Sequence, residues 1–207
     1  MAVELALIAP VLILTAFGMI ELTDAITAKR RVNLAASMIG DLITNTPNDY
    51  IHQKDVRDVL TMGGRVLEPY GIKDTTVRVT VLTYDADDDE YQVVWSRERK
   101  PNGNTKKTPG KNYKAGAAFG SIDVTGTHLG ANERLIGEDQ HLVVTEIDYP
   151  FVSSLSNVVF RDGVDIRGVE MRVPRQKPTI AFCQSNREGA DCTDGRDWLE
   201  DEGRPDG

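Results

Sequence analysis

The chain opens on a run, Met1 to Ile20, that is apolar except for Glu4 and Thr15 and carries one acid. About 20 helical residues at roughly 1.5 Å each reach about 30 Å, the thickness of a hydrocarbon core. After Glu21 the apolar positions thin to one stripe: Leu22, Ala25, Ile26, Val32, Ala35, Ala36, Ile39, Leu42 and Ile43. Spacing by three and four predicts an amphipathic helix with Asp24, Lys29, Arg30, Asn33 and Asp41 on its polar face. Gly40 is a tolerated weak point, and Thr46-Pro47 ends the helix because the residue before proline is pushed out of the α region. Residues 1–46 therefore read as one rod of roughly 65 Å, half in lipid or a helical bundle and half under a globular head.

Residues 47–192 read as that head. Asn48 or Asp49 is expected to cap a short helix over Ile51 to Met62, with Val56, Val59, Leu60 and Met62 turned inward and Gly63-Gly64 as its end. The period then changes from helix to strand. Thr76 to Tyr84 alternates with Val77, Val79 and Val81 on one face, and Tyr91 to Arg97 answers with Tyr91, Val93 and Trp95 on one face. The link from Asp85 to Glu90 is short enough for a hairpin. Leu142 to Phe151 places Val144, Glu146 and Asp148 on one face and Val143, Thr145, Ile147 and Tyr149 on the other. Val169 to Arg175 is a last strand, with a short turn or helix expected at Leu155 to Phe160. The expected fold class is α+β: a long N-terminal membrane or filament helix packed against an antiparallel sheet of about four strands. Residues 193–207 form an acidic, Gly/Pro-punctuated tail that is expected to be disordered, with only Trp198-Leu199 to anchor it.

The net charge of −8 argues against a general nucleic-acid binder. Within that acidic chain, residues 98–122 are basic and Gly-rich, with Lys100, Lys106, Lys107, Lys111 and Lys114. Tyr113 and Phe119 interleave with them, which suits either a solvated loop or contact with an anionic surface or single strand. Asp85, Asp87 and Asp89 match the first alternating ligands of a calcium loop. Glu90 and Ser96, however, stand where its glycine and bidentate glutamate belong, and a solvated acidic turn is the simpler reading. His52, His128 and His141 fall at no zinc-ligand spacing. No nucleophile elbow, His-Glu-x-x-His or Gly-x-Gly-x-x-Gly occurs, so no enzyme, cofactor or metal site is expected. Cys183 and Cys192 are the two cysteines. Free thiols or half a metal site are open readings. A disulfide closing a loop of about ten residues fits better, adds roughly 2.7 kcal/mol by loop entropy, and implies an oxidising compartment.

Glu4 admits two accounts. A carboxylate near a helix N-terminus is favoured by the macrodipole. At the bilayer centre it costs about 2.5–3.5 kcal/mol or more, which a cation inside a bundle would offset. Pro10 removes one helical hydrogen bond and clashes with the carbonyl of Ala6, so a kink or local opening is expected. Lys29-Arg30-Arg31 after the apolar run would place that side in the cytoplasm by the positive-inside rule.

Ala2-Val3-Glu4-Leu5-Ala6-Leu7, then Ala9-Pro10 and Gly18-Met19-Ile20-Glu21, resembles the start of the TadE-like pseudopilins, minor pilins of the tight-adherence (Flp, type IVc) pilus. That family has an Ala-Val-Glu-Phe-Ala-Leu opening, a proline within the apolar run and a Gly-x-x-Glu exit; Leu5 stands where Phe is commoner. Asp148-Tyr149-Pro150-Phe151 and Val173-Pro174-Arg175 resemble the family more loosely. The resemblance implies a pilin-like, non-enzymatic subunit that helps initiate, cap or assemble a filament. It implies that Glu4 and Pro10 serve assembly, with Glu4 meeting the N-terminal amine of a neighbouring subunit. The implied partners are other pilins or pseudopilins through the N-terminal helix, the inner-membrane assembly machinery, membrane lipid, and a prepilin peptidase if a leader exists. The sequence opens directly on the apolar run, so either the mature start lies near Met1 or a basic leader lies upstream. The resemblance and the cysteine pair outweigh the basic triplet. They place the protein in a bacterial inner membrane with its head in the periplasm, or in an extracellular pilus. A bitopic envelope protein and a surface adhesin using the basic loop are the rival readings.

Overall fold

The computed structural model describes residues 2–67, 75–86, 90–100, 113, 116–119, 135–137, 140–153, 163–183 and 192–193, with side chains from Ile8 onward. Its fold is α+β, a long apolar N-terminal helix laid on an antiparallel sheet. Helix α1 runs Ala2–Thr44 without interruption at Pro10. It ends ahead of Pro47, where Asn45 N–H donates to Asp41 O (3.0 Å) and Thr46 Oγ1 donates to Ile43 O (2.9 Å). These bonds satisfy carbonyls that a helix end otherwise leaves open.

The main sheet contains β2 (Thr76–Asp85), β3 (Glu90–Arg99), β4 (His141–Phe151) and β5 (Val164–Arg172), in the order β3-β2-β4-β5 and all antiparallel. One face meets α1. Val77, Val79, Val81, Val143, Ile147 and Tyr149 pack there against Ala28, Val32, Ala35, Ala36, Ile39 and Ile43. The alternation expected of β2 and β4 is the alternation seen.

The β3 expectation needs correction. A bulge opposite Val81/Leu82 leaves Val94 without a register partner, because Val81 pairs with Trp95 and Leu82 with Val93. The extra residue flips the strand. Val94 and Trp95 point into the helix-side core, whereas Tyr91 and Val93 lie in the core on the opposite face. The α1 stripe also divides. Leu22 (52%), Ile26 (46%) and Leu42 (48%) stay exposed.

A second helix, α2, runs Gln53–Val66, later than expected and through Gly63-Gly64. Its N-cap is His52, with no side-chain cap bond, and Met62 is exposed, not inward. Gly63 is needed in mid-helix because a Cβ there would sit 2.2 Å from Ile39 Cδ1 of α1. Ile51 belongs instead to β1 (Tyr50–His52), which pairs parallel with β6 (Ala181–Cys183), which in turn pairs antiparallel with β7 (Cys192–Thr193). This small sheet is clipped to the large one at Ile180. Its N–H donates to His141 Nδ1 (2.9 Å) and its carbonyl accepts from Trp95 Nε1 (3.0 Å). Arg97 lies over the Phe182 ring at 4.4 Å. Strand β5 begins five residues before the expected Val169 and stops at Arg172. The expected element at Leu155 to Phe160, the aspartates 87–89 and the tail from Asp194 lie outside the described residues.

Candidate membrane and assembly surface

The first half of α1 is apolar and uncovered. Ile8, Val11, Leu12, Ile13, Leu14, Met19 and Ile20 are between 42% and 71% exposed, and Phe17 is 40% exposed. Ile8–Thr44 is long and apolar enough, by length and composition, to cross a membrane. Such a helix is satisfied when lipid or other helices cover it, because its backbone bonds are internal. The run ends at Glu21, which is fully buried and engaged with a partner. Beyond it the helix acquires a buried side. Glu4 belongs to α1 ahead of Ile8, and its side chain is outside the described residues.

Two glycines let α1 reach the sheet. A Cβ on Gly168 of β5 would sit 2.7 Å from Val32 Cγ1, and one on Gly40 of α1 would sit 3.2 Å from Arg172 Cδ. Gly40 is therefore a contact point and not a weak one. Arg172 crosses the seam, donating to Ser37 Oγ (2.7 Å) and pairing with Asp41 (3.0 Å). Lys29 Nζ donates to the carbonyl of Arg167. One member of the basic triplet thus holds the head against the helix, a local role that the charge count could not reveal.

The opposite sheet face holds a feature that sequence reading missed: a ladder of charges across all four strands. Glu98 of β3 pairs with Arg78 of β2 (2.5 Å). Arg78 pairs with Glu146 of β4 (3.3 Å), Glu146 with Arg167 of β5, and Arg167 with Asp148 (3.4 Å). Only 1% of the Glu146 side chain is exposed. An acid in the middle of a strand with buried neighbours on both sides was the available signal. Burial works to lower the Arg78 pKa, but the hydrogen bond to Glu98 and the charges of Glu146 and Glu98 outweigh it and hold the guanidinium above its ordinary value.

Part of the basic stretch packs on this face, which departs from the reading of a solvated loop. Tyr113 and Phe119 are buried with Leu82, Tyr91, Val93, Ile136, Leu142 and Val144. Arg78 lies 5.1 Å from the Tyr113 ring centroid. Gly116 N–H donates to Val93 O (2.8 Å) and Val93 N–H to Ala117 O (3.1 Å), with Gly116 at φ +74°, a conformation suited to glycine. Burial, then the charge of Glu146, push the Tyr113 phenol up to about 12, with Arg78 opposing. Because the folded state holds this proton more tightly, its contribution to stability is present below the ordinary value of 10.0 and is lost as pH rises toward about 12. Alkaline titration of tyrosinate absorbance is expected to show a late step that is absent from Tyr113→Phe; an unchanged curve would contradict the burial of this ring.

Cys183 and Cys192 are joined by a disulfide between β6 and β7. Asp85, the first residue of the calcium-like pattern, accepts from Gln92 Nε2 (2.6 Å) in the β2–β3 hairpin. Among the described residues, no three His, Cys, Asp or Glu side chains are grouped to hold a metal.

Comparison with known proteins bears on the N-terminal helix. Residues 1–40 match the TadE-like protein family. The match covers the apolar run, Glu4, Pro10, the buried Glu21 and the part of α1 that docks on β5, and it stops before the sheet begins. No curated protein and no solved structure matches the chain.

Proposed function

We propose that the protein is a non-enzymatic minor pilin or pseudopilin of a tight-adherence pilus, which helps initiate, cap or assemble the filament and so supports surface attachment. The observation that carries this reading is the division of α1: one continuous helix, bare and apolar over Ile8 to Ile20, docked on a sheet from Ala28 to Ile43. The TadE-like match over the same helix supports it. The disulfide suits an oxidising compartment, with the head on the periplasmic side of a bacterial inner membrane or in the filament. On this reading the partners are other pilins along α1, the inner-membrane assembly machinery and lipid. Glu4 then pairs with a neighbour's N-terminal amine inside the helical bundle, and Pro10 tunes the helix for packing.

Glu4→Leu tests the role against a plain anchor. An anchor gains when an acid leaves its apolar run. A subunit whose neighbour's amine loses its buried partner forfeits several kcal/mol of assembly energy. The expected result is normal membrane fractionation with few or no surface filaments, and Glu4→Gln is expected to behave the same way if charge is what matters. Normal filament counts with Glu4→Leu would remove the pairing role.

A further inference from the structure

We infer that the head rests directly on the lipid surface through the β4–β5 end of its sheet, with Val152 and Val164 seated at the membrane interface level with Leu22 and Ile26. The inference rests on the reading above, in which Ile8 to Ile20 lies in lipid.

The geometry follows from the seam between α1 and β5. Val32 meets Gly168, Gly40 meets Arg172, and Arg175 N–H donates to Thr44 O (3.2 Å). Both elements therefore advance together along one direction. From Val32 to Gly40 the helix rises about 12 Å, and from Gly168 to Arg172 the strand rises about 13 Å. Running back from Gly168 to Val164 covers about 13 Å, which is about nine residues of helix and brings Val164 level with Thr23. That level is just past Ile20, where the bare apolar run ends.

At that level the head exposes apolar groups. Val164 pairs with Phe151 at the end of the β4–β5 ladder, and Val152 follows Phe151. Val152 is 63% exposed and Val164 36% exposed. A single exposed valine elsewhere would mean nothing. By the rises of helix and strand these two stand level with Leu22 and Ile26 on α1, at the end of the apolar surface that the span already offers to lipid. Charge sharpens the choice of partner. Asp165 adjoins Val164, Asp24 adjoins the same level of α1, and Arg30 lies farther along the helix. With acids nearest among the described residues, the contact is apolar burial into a zwitterionic surface, and attraction to anionic headgroups has no part in it.

The test uses the full chain in phosphatidylcholine vesicles whose acyl chains carry bromine at shallow or deep positions. Tryptophan is introduced singly at Val152, at Val164, at Leu14 within the span, and at Met62. Met62 is exposed on α2 and lies level with Ile39 through Gly63, about 25 Å beyond Leu22. The emission added by each tryptophan over the parent is measured. Val152→Trp and Val164→Trp are expected to lose at least about threefold more of it to shallow bromine than Met62→Trp, without dependence on added salt, because tryptophan settles at the interface. Leu14→Trp is expected to be quenched by deep bromine. Quenching at Leu14 with none at Val152 or Val164 would overturn the docked head and leave the anchor standing. Quenching at neither level would overturn both.

Discussion

Glu146→Ala is expected to lower stability by about 3 kcal/mol or more, the cost of breaking a buried ion pair from one side. Glu146 accepts from Arg78 and Arg167 on neighbouring strands, and its side chain is 1% exposed. Removing it leaves two guanidinium groups in the sheet interior with an acceptor missing from each. Arg78 retains Glu98 and Arg167 retains Asp148, so the loss belongs at the lower end of the usual range. Replacing the linked charges together, Glu98→Gln with Arg78→Met and Glu146→Leu, is expected to cost less than Glu146→Ala, because the one remaining charge, Arg167, retains Asp148. Denaturant unfolding of the detergent-solubilised chain reads both. If Glu146→Ala unfolds within about 0.5 kcal/mol of the wild type, as an ordinary surface substitution does, the ladder is not a buried unit.

Gly168→Leu is expected to cost about 3 kcal/mol or more, at the upper end of overpacking effects, because the helix cannot retreat at this point. A Cβ there would approach Val32 Cγ1 at 2.7 Å, Asn33 Oδ1 at 3.2 Å and the Val32 backbone carbon at 3.3 Å. The first two atoms can rotate away, but the third belongs to the helix backbone. Separation of α1 from β5 would also disturb the Arg172 contacts with Ser37 and Asp41 and the Lys29 bond to Arg167. Gly137→Ala is the control, since its nearest neighbour is 3.7 Å away. Proteolysis of the head and hydrogen exchange along residues 28–43 report whether the helix has come away. Equal protection in Gly168→Leu and wild type would contradict the close seam.

The two halves of α1 and the alternation of β2 and β4 were legible in the sequence, because helix and strand periods are local and are repeated over many residues. The apolar run, the start of the amphipathic half, Pro47 as terminator and the acid-bearing opening all belong to consecutive residues. The cysteine pair could be read from its short spacing. Other features were decided by contacts between distant segments. Leu22, Ile26 and Leu42 fit the stripe but stay exposed, because how far the head covers the helix is set by the folded sheet. The bulge at Val94 reversed part of β3, because register depends on the partner strand. Strands β1, β6 and β7 are too short to carry a period and exist through one another. Gly63 read as a helix end and Gly168 fell just outside the expected last strand, yet both are points of close approach to α1. Glu146 shows the same limit: its position on a strand could be read in advance, but its two arginine partners come from strands that only the folded sheet sets beside it.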